Sequence, residues 1–207
     1  MTKSFLSCLE LISSDLKAKY GGVRLVRFIG HYILDNATFA AVNYRIAHYL
    51  LTIGFDRTAR FITLLTERLA YIHLSQGALI GPGLYIPHGF GIIIAGKVVI
   101  GSNCTIQQGV TVGGNFWKQR EDTEGTVREY PVMGDHVHLG SGCVVAGPVT
   151  IGNSVIIGAN TTVTSDVPDD SIVMGSRAEV VKKIDPNREE HSNRFYSVIP
   201  DTKEPLS

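Results

Sequence analysis

The sequence predicts a mainly β protein, a left-handed parallel β-helix of about four turns with an N-terminal α-helical region. Three observations predict it: an apolar residue recurs at every sixth position, glycine makes up 22 of 207 residues, and the repeating stretches carry almost no charge. A period of six fits neither an α-helix nor a plain alternating strand. It fits a short strand followed by a corner, with three strands to a triangular turn of about 18 residues.

The repeat extends from Ile80 to Pro168 and supplies the predicted core. The apolar positions are Ile94, Ile100, Ile106 and Val112, then Met133, Leu139, Val145, Ile151, Ile157 and Val163. A small residue usually follows each of them, and a second inward position comes four residues later. Cys104 and Cys143 fall on this second position, so we expect small buried hydrophobes rather than nucleophiles or metal ligands.

The glycine surplus and the missing charge both concern the faces of the coil. Glycine and asparagine stand at the predicted corners, where they tolerate unusual backbone angles. Residues 78–112 and 133–168 contain only three charged residues, Lys97, Asp135 and Asp166. Flat, nearly uncharged faces are poorly suited to water. Three prisms packed side by side would cover them, so we predict a homotrimer.

The N-terminal region follows a helical pattern. One apolar face includes Ala40, Tyr44 and Ala47 and ends at Gly54, and a further helix is predicted from Arg57 to about His73. These helices are too few to hold a large core alone, so they should pack on the coil or on a neighbouring subunit. The predicted domains are therefore a helical region at 1–76, a β-helix at 77–184 with an excursion at 113–132, and a polar tail at 185–207.

Charge and apolar patterning exclude several classes of function. Nineteen basic residues balance nineteen acidic ones, which argues against nucleic acid as a partner. The most apolar long window, residues 39–54, is interrupted by Asn43, Arg45 and His48, so no transmembrane segment is predicted. The N-terminus lacks the features of a secretory signal, and three cysteines show no zinc-type spacing. We therefore expect a cytoplasmic protein.

Two breaks in the repeat indicate the functional residues. The first is a two-residue phase slip around Pro87-His88-Gly89, which places His88 in a bulge on the edge of the prism. A held histidine can deprotonate a hydroxyl near neutral pH, so His88 is the leading catalytic candidate. The second break is the excursion at 113–132, which should lean over a neighbouring prism. A polar loop of this length in a compact domain is usually functional.

Two hypotheses from other classes of function can be tested against the residues alone. A γ-carbonic-anhydrase-like metalloenzyme needs three histidines that converge across an interface, and His88, His136 and His138 are too few on one face, so no metal is predicted. An inert or ice-binding β-helix would need repeated threonine pairs along one side. Only Thr161-Thr162 comes close.

The stretches from Ile80 to Gly114 and from Tyr130 to Pro168 closely resemble the serine acetyltransferase branch of the hexapeptide acyltransferases. The segment from Ser171 to Ala178 is similar to the one that closes the coil in that branch. The helical region, with Ser14-Asp15-Leu16 and the segment from Tyr44 to Leu50, looks like the shorter head of sugar-modifying relatives. The resemblance implies an acetyl-CoA-dependent O-acetyltransferase with active sites between subunits.

The same resemblance implies roles for individual residues. The catalytic histidine of the family matches His88. The positions that match the acetyl-CoA groove are Gly113, Gly114, Ser141, Ala159, Ser176, Arg177, Lys182 and Lys183. Small residues let the pantetheine arm approach the backbone, and the cations could meet the CoA phosphates.

Departures from the family pattern concern the acceptor. The aspartate expected before the catalytic histidine is Pro87, and the expected Arg-His pair is Glu129-Tyr130. The acid expected to orient the histidine is His73. A free amino acid presents an ammonium and a carboxylate, and the usual residues for recognising them are missing. Trp117, Glu129 and Tyr130 would suit a carbohydrate.

The favoured acceptor is therefore a sugar hydroxyl of a capsular polysaccharide or exopolysaccharide, or of a precursor. The runner-up is a serine O-acetyltransferase of cysteine biosynthesis. N-acetylation of an amino sugar is a weaker third reading, because the resemblance is to members that modify hydroxyls.

Overall fold

Four helices precede the coil in the computed structural model, which describes residues 4–21, 25–115, 119–121 and 127–175. They are α1 (Phe5–Tyr20), α2 (Leu25–Leu34), α3 (Asn36–Thr52) and α4 (Asp56–Ala70). Asp35 caps α3 by accepting hydrogen bonds from the backbone N–H groups of Ala37 and Thr38. No helix in these ranges is long and apolar enough to cross a membrane.

The observed helix bounds differ from the predicted ones at both junctions. α3 ends at Thr52, and Gly54 follows in the left-handed region at φ 87°. α4 ends at Ala70, and His73 already belongs to a strand, so the predicted helix is three residues too long. The first strand thus lies before the predicted boundary at residue 77, while the division into domains stays a prediction.

The coil consists of three parallel sheets that the chain visits in rotation. Sheet A holds β1 (Ile72–Leu74), β3 (Ile92–Ile94), β6 (Thr111–Gly113), β11 (Val144–Ala146) and β14 (Thr162–Val163). Sheet B holds β2 (Leu79–Ile80), β4 (Val99–Ile100), β9 (Val132–Met133) and β12 (Thr150–Ile151). Sheet C holds β5 (Thr105–Ile106), β10 (His138–Leu139), β13 (Ile156–Ile157) and β15 (Ile172–Val173).

The register of the sheets confirms the predicted six-residue period. Ile94 pairs with Val112, and Val145 pairs with Val163, eighteen positions apart in both cases. The inward residues form one continuous core along the prism axis. Cys104 and Cys143 lie in it with 1% and 0% exposure. The parallel β-helix and its N-terminal helices are therefore as predicted.

The helices pack on the first turn of the coil. The Tyr44 hydroxyl donates to the carbonyl of Ala78 at 2.8 Å, and Arg45 reaches the carbonyls of Ile80 and Gly81. Small residues on α3, including Ala37 and Ala40, join the core cluster of the coil. The coil of the same chain thus covers this face of α3.

Candidate active site

His88 lies in a bulge at the edge where sheet C passes into sheet A, hereafter the C–A edge. Tyr85 bridges to Thr105 and Ile93 pairs with Thr111, so eight residues span this corner in the first turn and six in the next. The two extra residues are the predicted phase slip. Gly89 is required here, because a Cβ would lie 2.7 Å from the backbone nitrogen of Ala37. The bulge is thus pressed against the start of α3, and the His88 side chain is exposed.

The imidazole of His88 has no hydrogen-bond partner within the described ranges. A general base must be held in place and also remain accessible to its substrate. The backbone after the bulge is fixed, since the amide of Gly91 donates to the carbonyl of Tyr71 at 2.8 Å. The His88 side chain is exposed, so it meets the condition of access to a substrate.

A ladder of backbone hydrogen bonds runs along the C–A edge from the bulge. Gly109 donates to the carbonyl of Phe90 at 2.9 Å, Gly142 to Gln108 at 2.9 Å, and Asn160 to Ser141 at 2.8 Å. The donors all have positive φ, between 54° and 72°. Ser141 and Ala159, two predicted cofactor positions, therefore share an edge with His88.

Gln108 is an unusual member of this edge. Its side-chain oxygen is buried and accepts no hydrogen bond from any residue that the structure describes. Most buried polar atoms have a partner, so an unpaired acceptor is notable. Gln108 lies between Phe90 and Ser141 on the C–A edge, which also carries the other site candidates.

Gly113 and Gly114 lie at a different edge, where sheet A passes into sheet B. The predicted acceptor residues Glu129 and Tyr130 lie there too, because a Cβ on Gly114 would meet the Tyr130 ring at 3.2 Å. Gln119 Nε2 donates to Glu129 Oε1 at 2.7 Å. Within one chain, a face of sheet A separates this group from His88. The predicted site residues thus form two groups rather than one.

The described part of the excursion folds onto its own coil. β7 (Arg120–Glu121) pairs antiparallel with β8 (Val127–Arg128). Arg120 Nη1 forms an ion pair with Asp166 at 2.6 Å, and Arg128 donates to the carbonyl of Pro148 at 2.9 Å. These contacts hold the hairpin against sheet B, and contact with a neighbouring prism stays a prediction.

Several predicted site residues lie outside the described ranges. They are Trp117 of the acceptor group and Ser176, Arg177, Lys182 and Lys183 of the cofactor group. The predicted polar tail at 185–207 also lies outside them.

A groove opens between α4 and sheet A beside the bulge. It encloses about 660 Å³ and is lined by Leu64, Glu67, Arg68, Tyr71, His73, Phe90, Gly91, Ile92 and Ile93. His73 Nδ1 lies 2.8 Å from Glu67 Oε2, so the position where the family pattern expects an acid carries a histidine with a carboxylate beside it. Sequence reasoning missed Glu67 and Arg68. Their spacing with Leu64 and Tyr71 on one helical face was the available signal.

The described residues contain no group of three or more His, Cys, Asp or Glu side chains that could hold a metal ion. The cysteines also lack the setting of a nucleophile. Burial raises the pKa of Cys104 and of Cys143 to about 11, which keeps both thiols protonated near neutral pH.

Comparison with known proteins identifies the family. The bacterial transferase hexapeptide (six repeats) family matches residues 130–165. A serine acetyltransferase of Helicobacter pylori (strain ATCC 700392 / 26695) is 38% identical over 146 residues, which cover 70% of this chain and 80% of that protein. The chain belongs to the serine acetyltransferase family. This assignment confirms the predicted acyltransferase class.

Solved structures of serine acetyltransferases share the fold of this family member. Isoform 3 from Entamoeba histolytica, in complex with cysteine, has a TM-score of 0.71 and 30% identity, with 86% of this chain and 63% of that chain covered. A serine acetyltransferase in complex with CoA has a TM-score of 0.69 and 25% identity, with 86% and 71% covered. The chain thus spans less than two thirds of the Entamoeba protein.

One finer prediction is corrected by these relatives. They are serine acetyltransferases, so the predicted closeness to sugar-modifying members and to polysaccharide biosynthesis is not supported. The short helical region had suggested a sugar-modifying member. The Helicobacter relative is a chain of similar size, because 146 residues make up 80% of it.

Proposed function

We propose that this serine acetyltransferase family member transfers the acetyl group of acetyl-CoA to the hydroxyl of serine. The observation that carries the proposal is the exposed His88 in its two-residue bulge, joined by the C–A ladder to Ser141 and Ala159. The names of the relatives support serine as the acceptor, and the complex with CoA supports the donor.

In the proposed reaction, His88 removes the proton as the acceptor hydroxyl attacks the thioester carbonyl. Backbone N–H groups near Gly113 and Gly114 stabilise the developing oxyanion. The intermediate collapses with cleavage of the carbon–sulfur bond, and the protonated His88 donates its proton to the thiolate of CoA. General acid–base catalysis of this kind contributes about 10²- to 10⁴-fold.

We infer further that the active site forms between copies of the chain. His88 and the Gly113–Gly114 pair occupy different edges of one prism, so a complete site combines the C–A edge of one copy with the A–B edge of the next. The nearly uncharged faces support the predicted homotrimer. A left-handed coil and a cytoplasmic location belong to the same proposal, and the hexapeptide family and its solved relatives are consistent with the left hand.

A saccharide hydroxyl is the second candidate acceptor. Pro87 beside His88, and Glu129-Tyr130 at the other edge, carry none of the charges that the family pattern uses for a free amino acid. An uncharged sugar needs no such ion pairs, and Tyr130 offers an aromatic face.

An acceptor screen with radiolabelled acetyl-CoA tests the two candidates. L-serine, nucleotide sugars and polysaccharide fragments are compared by acceptor-dependent release of CoA, with the product identified by mass spectrometry. O-acetylserine is the expected product. Transfer to a saccharide and none to serine would replace the proposal by the second candidate.

A further inference from the structure

Three residues of α4, together with Tyr71, which directly follows the helix, line the groove beside the His88 bulge. Leu64, Glu67, Arg68 and Tyr71 have the spacing i, i+3, i+4 and i+7, which places them on one side of the helix. The opposite wall is the edge of sheet A from Phe90 to Ile93. Tyr71 and Phe90 contact each other with ring centroids 5.6 Å apart, and their exposed surfaces form the rim.

The groove carries a carboxylate and a guanidinium on consecutive residues. Glu67 is about half exposed, with 48% of its side chain accessible, and its Oε2 atom contacts His73. Arg68 forms no hydrogen bond or ion pair with any described residue. Arg68 and the second carboxylate oxygen of Glu67 are therefore available to a ligand, and the two groups have opposite charges.

The chain path places the His88 bulge next to one wall of this groove. Consecutive Cα atoms are about 3.8 Å apart, so the Cα of His88 lies within about 7.6 Å of the Cα of Phe90 on the groove wall. The amide of Gly91 is bonded to the carbonyl of Tyr71, which fixes this wall to the end of α4. The bulge that carries His88 therefore adjoins the groove through Phe90 and Gly91.

We propose that this groove is the acceptor site and that Glu67 and Arg68 recognise an α-amino acid, with Glu67 on the ammonium and Arg68 on the carboxylate. The inference rests on the proposed function and names the specificity residues that Pro87 and Glu129-Tyr130 do not supply. In serine the hydroxyl oxygen is three bonds from the nitrogen. Two opposite charges on one helical face match the two charges of so small a molecule.

Kinetics with an acceptor series test the two roles separately. L-serine is compared with ethanolamine, which lacks the carboxylate, and with glycerate, which lacks the ammonium. The variants are Arg68→Gln and Glu67→Gln, and Arg60→Gln removes the same charge from α4 outside the groove. A thermal melt of each variant confirms that it is folded.

We expect Arg68→Gln to raise the KM for serine by about 10- to 100-fold and to leave the KM for ethanolamine unchanged. Glu67→Gln should raise the KM for serine by a similar factor and leave the KM for glycerate unchanged, and Glu67→Asp should restore part of the loss. Arg60→Gln should behave as the unmodified chain.

Two results would overturn the assignment, and they differ in what else they overturn. Equal KM values for serine in Arg68→Gln, Glu67→Gln and Arg60→Gln would remove the two residues from recognition and leave serine as the acceptor. Absence of transfer to serine by the unmodified chain would overturn the proposed acceptor together with the groove assignment. Saccharide transfer that Tyr71→Ala abolishes would then assign the groove to a sugar.

Discussion

Arg45 and Asp15 form a buried two-point ion pair beneath the first turn of the coil. Nε and Nη2 of Arg45 lie 2.8 and 3.0 Å from the two carboxylate oxygens of Asp15. The two side chains are 1% and 6% exposed. Arg45 also donates to the carbonyls of Ile80 and Gly81, and Asp15 accepts from the amide of Leu84. One pair of charges therefore joins α1, α3 and the coil.

Removal of one partner should destabilise the fold strongly. We expect Arg45→Met to lower the free energy of unfolding by about 3–5 kcal/mol, because it leaves a buried carboxylate without its counter-ion. Urea denaturation followed by circular dichroism measures the change. Arg120→Met is the matched control, since the Arg120–Asp166 pair is about half exposed and should contribute at most about 1 kcal/mol. The double variant Asp15→Leu/Arg45→Met should recover part of the lost free energy of unfolding. Equal effects of Arg45→Met and Arg120→Met would contradict this role of the buried Asp15–Arg45 pair.

Asp35 should make the helical region sensitive to acid. Burial alone would raise its pKa, but hydrogen bonds from Lys19, Thr38 and Tyr20 lower it to about 2. The folded-state pKa lies below the ordinary value of about 3.9, so the stabilisation is complete above about pH 4 and is lost as the pH falls towards 2. With allowance for partial exposure, Asp35→Asn should cost about 1 kcal/mol at pH 7 and flatten this acid limb.

Thermal melts from pH 2 to pH 7 check this prediction. Asp56→Asn is the control, because Asp56 also lies at the start of a helix but forms no ion pair in the described part of the chain. The prediction fails if Asp35→Asn keeps the acid dependence of the unmodified chain.

His88→Ala should abolish most of the turnover and leave donor binding intact. We expect kcat to fall by about 10²- to 10⁴-fold, because the proton of the attacking hydroxyl loses its acceptor. Acetyl-CoA should still raise the melting temperature of the variant. His136→Asn is the control, as His136 is an exposed corner histidine at φ 58° on another edge. Near-normal turnover of His88→Ala would remove His88 from the mechanism.

Gly140→Ala should disrupt the stacking of the coil. A Cβ there would lie 2.6 Å from the carbonyl oxygen of Ile157 and 2.7 Å from the amide nitrogen of Ala159. Both atoms belong to the backbone of the next turn, so the turns must separate, at a cost of about 1–3 kcal/mol. Gly30→Ala in α2 meets no atom within 4 Å and should be neutral or stabilising by about 0.4–1 kcal/mol. Chemical denaturation measures the free energy of unfolding of both variants. Similar values for Gly140→Ala and Gly30→Ala would contradict the prediction.

The coil and its bulge could be predicted because both are local patterns. A six-residue period needs no distant contact to be read, and two extra residues between Ile86 and Ile94 are visible as a loss of phase. The helix end near His73 was placed too late, because α4 remains amphipathic up to Ala70 and the first strand follows after one residue. Local propensity does not show where a strand pairs.

The groove was not predictable in this way. Glu67 and Arg68 read as solvated residues on a surface helix, and only the packing of α4 against sheet A turns them towards His73 and Phe90. The Asp15–Arg45 pair is similar, since thirty positions separate its members and the sequence does not show that they meet.

The sequence alone determined the repeat, the inward residues, the inert cysteines and His88 as the break in the pattern, because each depends on residues close together along the chain. The tertiary structure decided which edge each site residue occupies. It put Ser141 and Ala159 on the same edge as His88, on later turns of the coil, and put Gly113 and Gly114 one edge away. The physical reason is that a corner position depends on how many residues each turn of the coil uses, and the pairing between turns fixes that number.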